Sequence, residues 1–180
     1  MNNLEVTNPF DHSHVGEVPV TGWDEVDGML ERASKAFLDR NECLTVARRM
    51  EILQAAATIM QQRFDSLALL IASEGGKPLI DARVEVTRAI DGLKLCMHEL
   101  THMRGTEIPM NLNAASSGRA AFTFHEPIGP VVAISAFNHP LNLIVHQVAP
   151  AVAVGCPVII KPADDTPLSA LAFVEILYEA

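Results

Sequence analysis

An asparagine and a lysine each follow a short apolar run in the last third of the sequence. Asn138 comes after the run 131–135, and Lys161 comes directly after the run 158–160. If both runs are parallel β-strands, both side chains lie at the carboxyl ends of the strands, where open α/β sheets bind ligands. The amide of Asn138 could donate to a developing oxyanion. The ammonium of Lys161 could bind a phosphate or a ribose hydroxyl, and Asp164 could accept from a ribose diol.

Each of these residues also has a purely structural interpretation. Asn138 stands just before Pro140, and this order is typical of a helix cap followed by the first helical turn. Lys161 could be a solvated turn lysine, with Asp165 or Thr166 capping the last helix. The sequence contains neither GxGxxG nor GxxxxGK[ST], so it predicts neither the usual dinucleotide fingerprint nor a P-loop.

The spacing of apolar residues predicts the elements that position these side chains. An extended arm with one or two short strands covers residues 1–22, and residues 108–118 form a polar connection. The remaining expected elements are a helix starting at Thr21 or Asp24, helices over 50–75 and 79–103, a strand over 121–125, a strand over 131–135, a helix over 141–154, a strand over 157–160 and a helix over 168–178.

The last four of these elements predict a βαβα unit. A right-handed crossover makes its two strands parallel neighbours, and their continuous apolar character predicts burial on both faces. Two strands alone leave an unpaired sheet edge, so we expect the domain to continue beyond Ala180. The helical first half and this unit need not form one domain.

Composition excludes several classes of protein. The 180 residues are 49% apolar, which is enough for a core and excludes a disordered tail. Thirteen Lys and Arg against 22 Asp and Glu give a net charge of −9, which disfavours nucleic-acid binding. The first fourteen residues lack Lys, Arg and an apolar segment, and no run approaches the roughly 18 apolar residues of a membrane span. We therefore expect a cytoplasmic protein without a membrane segment.

The cysteines and histidines give no strong metal signal. Three cysteines (Cys43, Cys96 and Cys156) without a CxxC pair disfavour a disulfide framework or a closed zinc site. His98 and His102 have the spacing of a zinc-binding pair on a helix, but HELTH is not HExxH and no third ligand is near. We expect a packed or solvated histidine pair and no metal site.

Two longer segments carry a family resemblance. Residues 127–140 read PIGPVVAISAFNHP, and residues 149–170 read APAVAVGCPVIIKPADDTPLSA. Together they resemble the aldehyde dehydrogenase superfamily, with support from Asn-Pro-Phe at 8–10 and from Glu-Gly-Gly-Lys-Pro at 74–78 followed by Glu85. The resemblance runs from about residue 8 to residue 180.

The resemblance implies a domain plan and an oligomer. Residues 1–107 would be the N-terminal arm and helices of the cofactor domain, and residues 108–129 a strand segment of the oligomerisation sheet. Residues 130–180 would begin a Rossmann-like nicotinamide-binding domain. The full-length protein would be a homodimer or homotetramer that oxidises a small-molecule aldehyde to a carboxylic acid.

The resemblance also implies roles for individual residues. Asn138 would donate its amide to the oxyanion of a thiohemiacetal, and Lys161 and Asp164 would hold the adenosine ribose. Two further sets follow by position: Ile134, Ser135 and Phe137 along the cofactor, and His139, Asn142 and His146 facing the aldehyde tunnel. Because Asp164 would disfavour a 2′-phosphate, we expect NAD, with NADP as the alternative.

Other family residues have no counterpart in residues 1–180. The nucleophilic cysteine, the general-base glutamate and the glycine-rich turn would all lie beyond residue 180, so we expect the chain alone to be inactive. Many members have Pro-Trp where this chain has Ala136-Phe137, and Asn where it has Cys156. Cys156 precedes a buried strand, so we expect a packed core thiol rather than a nucleophile.

A cationic tunnel would favour an anionic aldehyde. Arg88 on the third predicted helix could supply a guanidinium beside His139 and His146. The alternative is a surface ion pair of Arg88 with Glu85 or Asp91. A second functional hypothesis is a non-catalytic fragment that serves as an oligomerisation or nucleotide-binding module.

Overall fold

The computed structural model describes residues 3–39 and 43–180, which form the mixed α/β fold that the sequence predicts. In chain order its elements are β1 (Asn3–Thr7), β2 (His14–Pro19), α1 (Trp23–Leu38), α2 (Val46–Gln62), α3 (Phe64–Gly75), α4 (Leu79–Leu100), β3 (Glu107–Ile108), β4 (Ala121–Phe122), β5 (Val131–Ile134), α5 (Pro140–Val154), β6 (Val158–Lys161) and α6 (Leu168–Glu179). None of the described helices combines the length and the apolar character needed to cross a membrane.

The predicted extended arm is an antiparallel hairpin of β1 and β2. Val6 and Val18 are its buried side chains. The hairpin contacts α3 and α6, and a Cβ at Gly16 would lie 3.1 Å from the Leu168 side chain of α6. The arm is therefore packed onto the helices that precede and follow the parallel strands.

The long helix expected over 50–75 is wrong as a single element. It consists of α2 and α3, which are separated at Arg63, where ψ is 18° instead of a helical value. The Arg63 carbonyl oxygen accepts from the Leu67 N–H and from the Ser66 hydroxyl, both at 2.9 Å, so α3 begins directly at the break. The next helix, α4, ends at Leu100, three residues earlier than expected.

The strand expected over 121–125 is shorter than the sequence indicates. Only Ala121 and Phe122 pair, with Ile108 and Glu107 respectively. The approach is close at Gly105, because a Cβ there would lie 1.6 Å from the Thr123 carbonyl oxygen. Glycine is required at that position for the two segments to meet.

The expected parallel strand pair is confirmed, with Val131 opposite Val158 and Ile134 opposite Lys161. Burial on both faces of β5 is wrong, because Val132 is 52% and Ile134 66% exposed while Ala133 is buried. One face of β5 packs on α5. Nothing in the described part of the chain covers the other face, so apolar residues there do not imply burial.

A shared core joins the two halves of the chain. Helices α2, α3 and α4 pack against α5 and α6, and α4 and α5 share an extensive contact. Fully buried members from both halves include Leu53, Met60, Ile71, Leu93, Leu141 and Phe173. The helices of the first half therefore pack directly against the helices of the βαβα unit.

Candidate active site

The loop after β5 carries Asn138 at the carboxyl end of the strand. The Ser135 N–H donates to the Lys161 carbonyl oxygen at 3.0 Å, which keeps the two strands together to their ends. Asn138 is exposed, and its amide has no hydrogen-bond partner among the described residues. The interpretation of Asn138 as a helix cap is wrong. The N-cap residue of α5 is His139, and the His139 side chain makes no capping hydrogen bond.

A glutamate from another helix caps α5. Oε1 of Glu85, in α4, accepts from the N–H groups of Leu141 and Asn142 at 2.9 and 3.1 Å. Its Oε2 accepts from the Lys77 ammonium. Glu85 is 1% exposed, so this buried carboxylate is satisfied by two helix N–H groups and one cation.

His139 completes a cluster with these two residues. Its Nδ1 lies 3.0 Å from Lys77 Nζ and 3.2 Å from Glu85 Oε2. Because an ammonium has three protons to donate, Lys77 can donate both to Glu85 and to the Nδ1 of a neutral His139. His139, the residue that follows Asn138, is therefore held in place by Glu85 of α4 and by Lys77, which lies just before α4.

Lys161 is the last residue of β6, and Asp164 lies in the loop that follows. Lys161 Nζ lies 2.5 Å from Asp164 Oδ1, and both side chains are more than half exposed. The Thr166 hydroxyl donates to the Phe137 carbonyl oxygen at 3.3 Å and links this loop to the loop of Asn138. The two predicted ligand-binding segments are thus in contact.

The cap of α6 also comes from a distant helix. Asp165 and Thr166 do not cap it, which makes that expectation wrong; Glu74, in α3, does. Glu74 accepts from the Leu168 N–H at 2.8 Å, from the Ser169 N–H at 2.9 Å and from the Ser169 hydroxyl. Burial raises the pKa of Glu74 above its ordinary value, and the hydrogen bonds from Ser169 and Leu168 oppose that shift.

A cleft of about 690 Å³ opens beside Asn138, between the two loops and the hairpin. Its lining includes Phe137, Asn138, Lys77, Asp164, Thr166 and Thr7. Ile134 and Phe137 present exposed apolar side chains close to this edge. The cleft therefore combines an unpartnered amide, a cation, carboxylates and apolar surface.

The predicted tunnel residues lie along α4 and α5. Asn142 is buried, and its Oδ1 has no hydrogen-bond partner among the described residues. His146 is exposed one turn further on, beside Gly92 of α4. Arg88 is exposed on α4. The expected alternative, an ion pair of Arg88 with Glu85 or Asp91, is wrong. Glu85 pairs with Lys77, and Asp91 Oδ1 lies 3.6 Å from Lys94 Nζ.

The remaining candidate groups do not form a reactive centre. Cys156 is 5% exposed, which confirms a core thiol. The rings of His98 and His102 pack at 4.4 Å between centroids, as the packed-pair interpretation expects. Within residues 3–39 and 43–180, no three His, Cys, Asp or Glu side chains cluster as a metal site would require.

Comparison with known proteins settles the family. The model of the aldehyde dehydrogenase family matches residues 1–180. The chain belongs to the aldehyde dehydrogenase family. The chain spans between 34% and 39% of the length of the curated relatives that it matches.

Three similar proteins illustrate the relationship of this aldehyde dehydrogenase chain. Aspartate-semialdehyde dehydrogenase 1 of Pseudomonas canavaninivorans is 38% identical, over 99% of this chain and 38% of its own length. Aldehyde dehydrogenase 21 of Physcomitrella patens, solved with the reaction product succinate, superposes with a TM-score of 0.93 at 37% identity, over 99% of this chain and 37% of that one. Glyceraldehyde-3-phosphate dehydrogenase of Methanocaldococcus jannaschii, solved with NADP, gives 0.89 at 32% identity, with coverages of 98% and 37%.

The residues at the strand ends of this aldehyde dehydrogenase chain fit a nicotinamide dinucleotide. Lys161 and Asp164 offer a donor and an acceptor for ribose hydroxyls. Ile134 and Phe137 offer exposed apolar surface for flat rings. The donor set is therefore compatible with the cofactor that the family resemblance implies.

Glu74, Lys77 and Glu85 were missed as site-supporting residues. Their segments carry part of the resemblance to aldehyde dehydrogenases, but nothing local assigns them a partner. The sequence does contain one signal of this role. Glu85 shares the apolar face of α4 with Ala82, Val86 and Ala89. A carboxylate at a core-facing helix position must have a partner, so its burial could have been questioned from the sequence.

Proposed function

We propose that residues 1–180 supply the oxyanion donor and the adenosine-ribose contacts of an NAD(P)-dependent aldehyde dehydrogenase, which oxidises an aldehyde to a carboxylic acid. The observation that carries the proposal is the position of Asn138. Its unpartnered amide lies at the carboxyl end of β5, beside the loop of Lys161 and Asp164. Residues 1–107 and 130–180 then belong to the cofactor domain, and residues 108–129 to the oligomerisation sheet.

Asn138 acts in the first covalent step of this reaction. A cysteine thiolate outside residues 1–180 forms a C–S bond to the aldehyde carbon, and the carbonyl electron pair moves to the oxygen. Asn138 Nδ2 donates to that oxygen as its negative charge develops. NAD(P), which Lys161 and Asp164 would hold, would supply a hydride acceptor for the same carbon. A base outside residues 1–180 then takes a proton from water, the water oxygen bonds to the thioester carbon, and the C–S bond breaks to release the acid and restore the thiolate.

Lys161 and Asp164 hold the adenosine ribose, with Ile134, Ser135 and Phe137 along the cofactor. Asp164 places a carboxylate where a 2′-phosphate would be repelled, so we favour NAD over NADP. The NADP held by the Methanocaldococcus jannaschii relative keeps the second cofactor as the alternative. Unpaired Cys43, Cys96 and Cys156 fit a cytoplasmic enzyme, and the β3–β4 pair fits a homodimer or homotetramer.

The aldehyde that we propose is anionic. Arg88, His139, Asn142 and His146 would line its tunnel, and an exposed guanidinium is suited to a carboxylate, sulfonate or phosphate. The names of relatives support this class, since aspartate semialdehyde, 3-sulfolactaldehyde and succinate semialdehyde all carry an anionic group.

Replacing Asn138 tests the oxyanion role. In the enzyme as its native source makes it, we expect Asn138→Ala to lower kcat about 10²- to 10³-fold, because one oxyanion donor is lost. The KM for NAD should stay within about threefold, since the ribose contacts remain. Steady-state kinetics with Asn3→Ala, an exposed asparagine at the start of β1, provide the matched control. An unchanged kcat in Asn138→Ala would remove Asn138 from the reaction.

Arg88 tests the anionic substrate. We expect succinate semialdehyde to have a higher kcat/KM than a neutral aliphatic aldehyde of similar length, and Arg88→Ala to reduce that preference about tenfold. The exposed Arg32→Ala on α1 serves as the control. A neutral aldehyde that is preferred, with a ranking that Arg88→Ala leaves unchanged, would contradict an anionic substrate.

The uncovered apolar face of β5 favours the second candidate, a non-catalytic oligomerisation or nucleotide-binding module. The intact mass of the native polypeptide separates the two. A mass well above 19.5 kDa supports the enzyme, and a mass of 19.5 kDa supports the module.

A further inference from the structure

Two buried carboxylates hold the two site loops from outside the βαβα unit. Glu85 is 1% and Glu74 2% exposed, and each accepts from the first N–H groups of a helix that belongs to another part of the chain. Neither α5 nor α6 has a cap from its own preceding side chain. The N-termini of the two helices that follow the site loops are therefore capped by acidic residues of α3 and α4.

Each carboxylate acts on a different loop. The loop 135–139, which carries Asn138, runs directly into α5 and hence to Glu85. The loop 162–167, which carries Asp164, runs directly into α6 and hence to Glu74. A carboxylate near a helix N-terminus also interacts favourably with the positive end of the helix dipole. Both loops are thus fixed at their far ends by charge-assisted hydrogen bonds.

The short segment 74–77 joins the two anchor points. Glu74 caps α6, and Lys77, three residues later, pairs with the Glu85 that caps α5. Lys77 also reaches His139, the neighbour of Asn138. Between them, Gly76 leaves room for Pro9, since a Cβ at Gly76 would lie 2.6 Å from Pro9 Cγ. A displacement of this segment would move both loops.

We propose that Glu85 and Glu74 are separate positioning residues: Glu85 fixes the oxyanion loop 135–139 with Asn138, and Glu74 fixes the cofactor loop 162–167 with Asp164. The inference rests on the proposed function of these loops. Because both carboxylates are buried and accept from helix N–H groups, we assign them positioning roles and no contact with the reacting atoms. Loss of Glu85 should therefore appear in kcat, and loss of Glu74 in the KM for NAD.

The test compares Glu85→Ala with Glu74→Ala in the protein as its native source makes it. We expect Glu85→Ala to lower kcat about 10- to 100-fold with the KM for NAD within about threefold, because a small displacement of an oxyanion donor is costly. We expect Glu74→Ala to raise the KM for NAD about tenfold with a smaller change in kcat. An equal fall in kcat in both variants, with unchanged KM, would mean only fewer folded molecules and would overturn the assignment.

Glutamine variants separate capping from charge and guard against misfolding. A single amide oxygen at position 85 can still accept from Leu141 and Asn142, whereas the amide NH2 then faces the Lys77 ammonium, so kcat in Glu85→Gln should fall less than in Glu85→Ala. At position 74 both oxygens accept from N–H groups, so Glu74→Gln puts a donor against a donor and should still raise the KM for NAD. Glu99→Gln, exposed on α4, is the control. A normal KM in Glu74→Gln, or a kcat in Glu85→Gln as low as in Glu85→Ala, would contradict the proposal.

Amide hydrogen exchange gives a readout that needs no enzyme activity. Glu85→Ala should accelerate exchange at Leu141 and Asn142 while Leu168 and Ser169 stay protected, and Glu74→Ala should do the reverse. If the native protein oxidises no aldehyde but this pattern holds, the proposed function fails and the anchoring stands. If exchange is unaffected, or rises at both helices in both variants, the separate anchoring of the loops is wrong.

Discussion

Glu74 combines a buried carboxylate with the start of a helix. Desolvation favours its protonated form, whereas hydrogen bonds from Ser169 and Leu168 favour the carboxylate, and burial has the larger effect on its pKa. Because this pKa is raised, the folded protein binds a proton that the unfolded chain releases in the range between the ordinary value of 4.5 and the folded value. The free energy of unfolding contributed by Glu74 therefore falls as the pH rises through that range.

We expect Glu74→Gln to remove this pH dependence. The difference in free energy of unfolding, original minus variant, should decrease as the pH rises above 4.5 and then level off above the folded pKa. Urea unfolding at a series of pH values measures it. Glu99→Gln on the exposed end of α4 is the control, and a difference that rises with pH would show that the hydrogen bonds outweigh burial.

At the scale of single residues, the sequence predicted positions better than partners. Asn138 and Lys161 lie at strand ends as expected, because the apolar runs that define the strands are local signals. The partners were not predictable, because Asn138, Asp165 and Thr166 are good caps by residue type yet lose that role to Glu85 and Glu74. These acids lie more than fifty residues away in sequence, and no local rule brings them to the helix ends.

At the scale of elements, the turn between α3 and α4 depends on one backbone conformation. Gly76 ends α3 with φ of +63°, a left-handed conformation that glycine adopts without steric cost. The Pro9 ring lies against it, so the hairpin closes over the turn. The sequence marked the end of the helix at Gly75-Gly76, but contact with the Asn-Pro-Phe segment required the fold.

We expect Gly76→Ala to lower the free energy of unfolding by about 1–3 kcal/mol, from left-handed strain together with the contact to Pro9. Gly118→Ala is the matched comparison: its φ is +72°, and a Cβ there meets nothing within 4 Å. It should lose about 1 kcal/mol, from strain alone. Urea unfolding of both variants checks this, and equal losses would mean that the Pro9 ring moves aside freely.

At the scale of the whole molecule, the two halves depend on one another. Helices α2 to α4 bury their apolar faces against α5 and α6, so the helical half and the βαβα half share one core. Periodicity predicts which residues face inwards but not against which element they pack. Burial on both faces of β5 failed for the same reason, since an apolar strand does not reveal whether a covering layer is present.

Because α5 and α6 are capped by residues of α3 and α4, the βαβα unit cannot be transferred to another protein by itself. A designer who grafts residues 130–180 onto another scaffold would transfer both strands, helices α5 and α6 and Asn138, but would leave Glu74, Lys77 and Glu85 behind. The grafted helices would then begin with unsatisfied N–H groups, at the points from which the loops extend. A working chimera would have to carry helices α3 and α4 as well. The hydrogen bonds of the capping residues, and not the strand topology, therefore decide which segments must be transferred together.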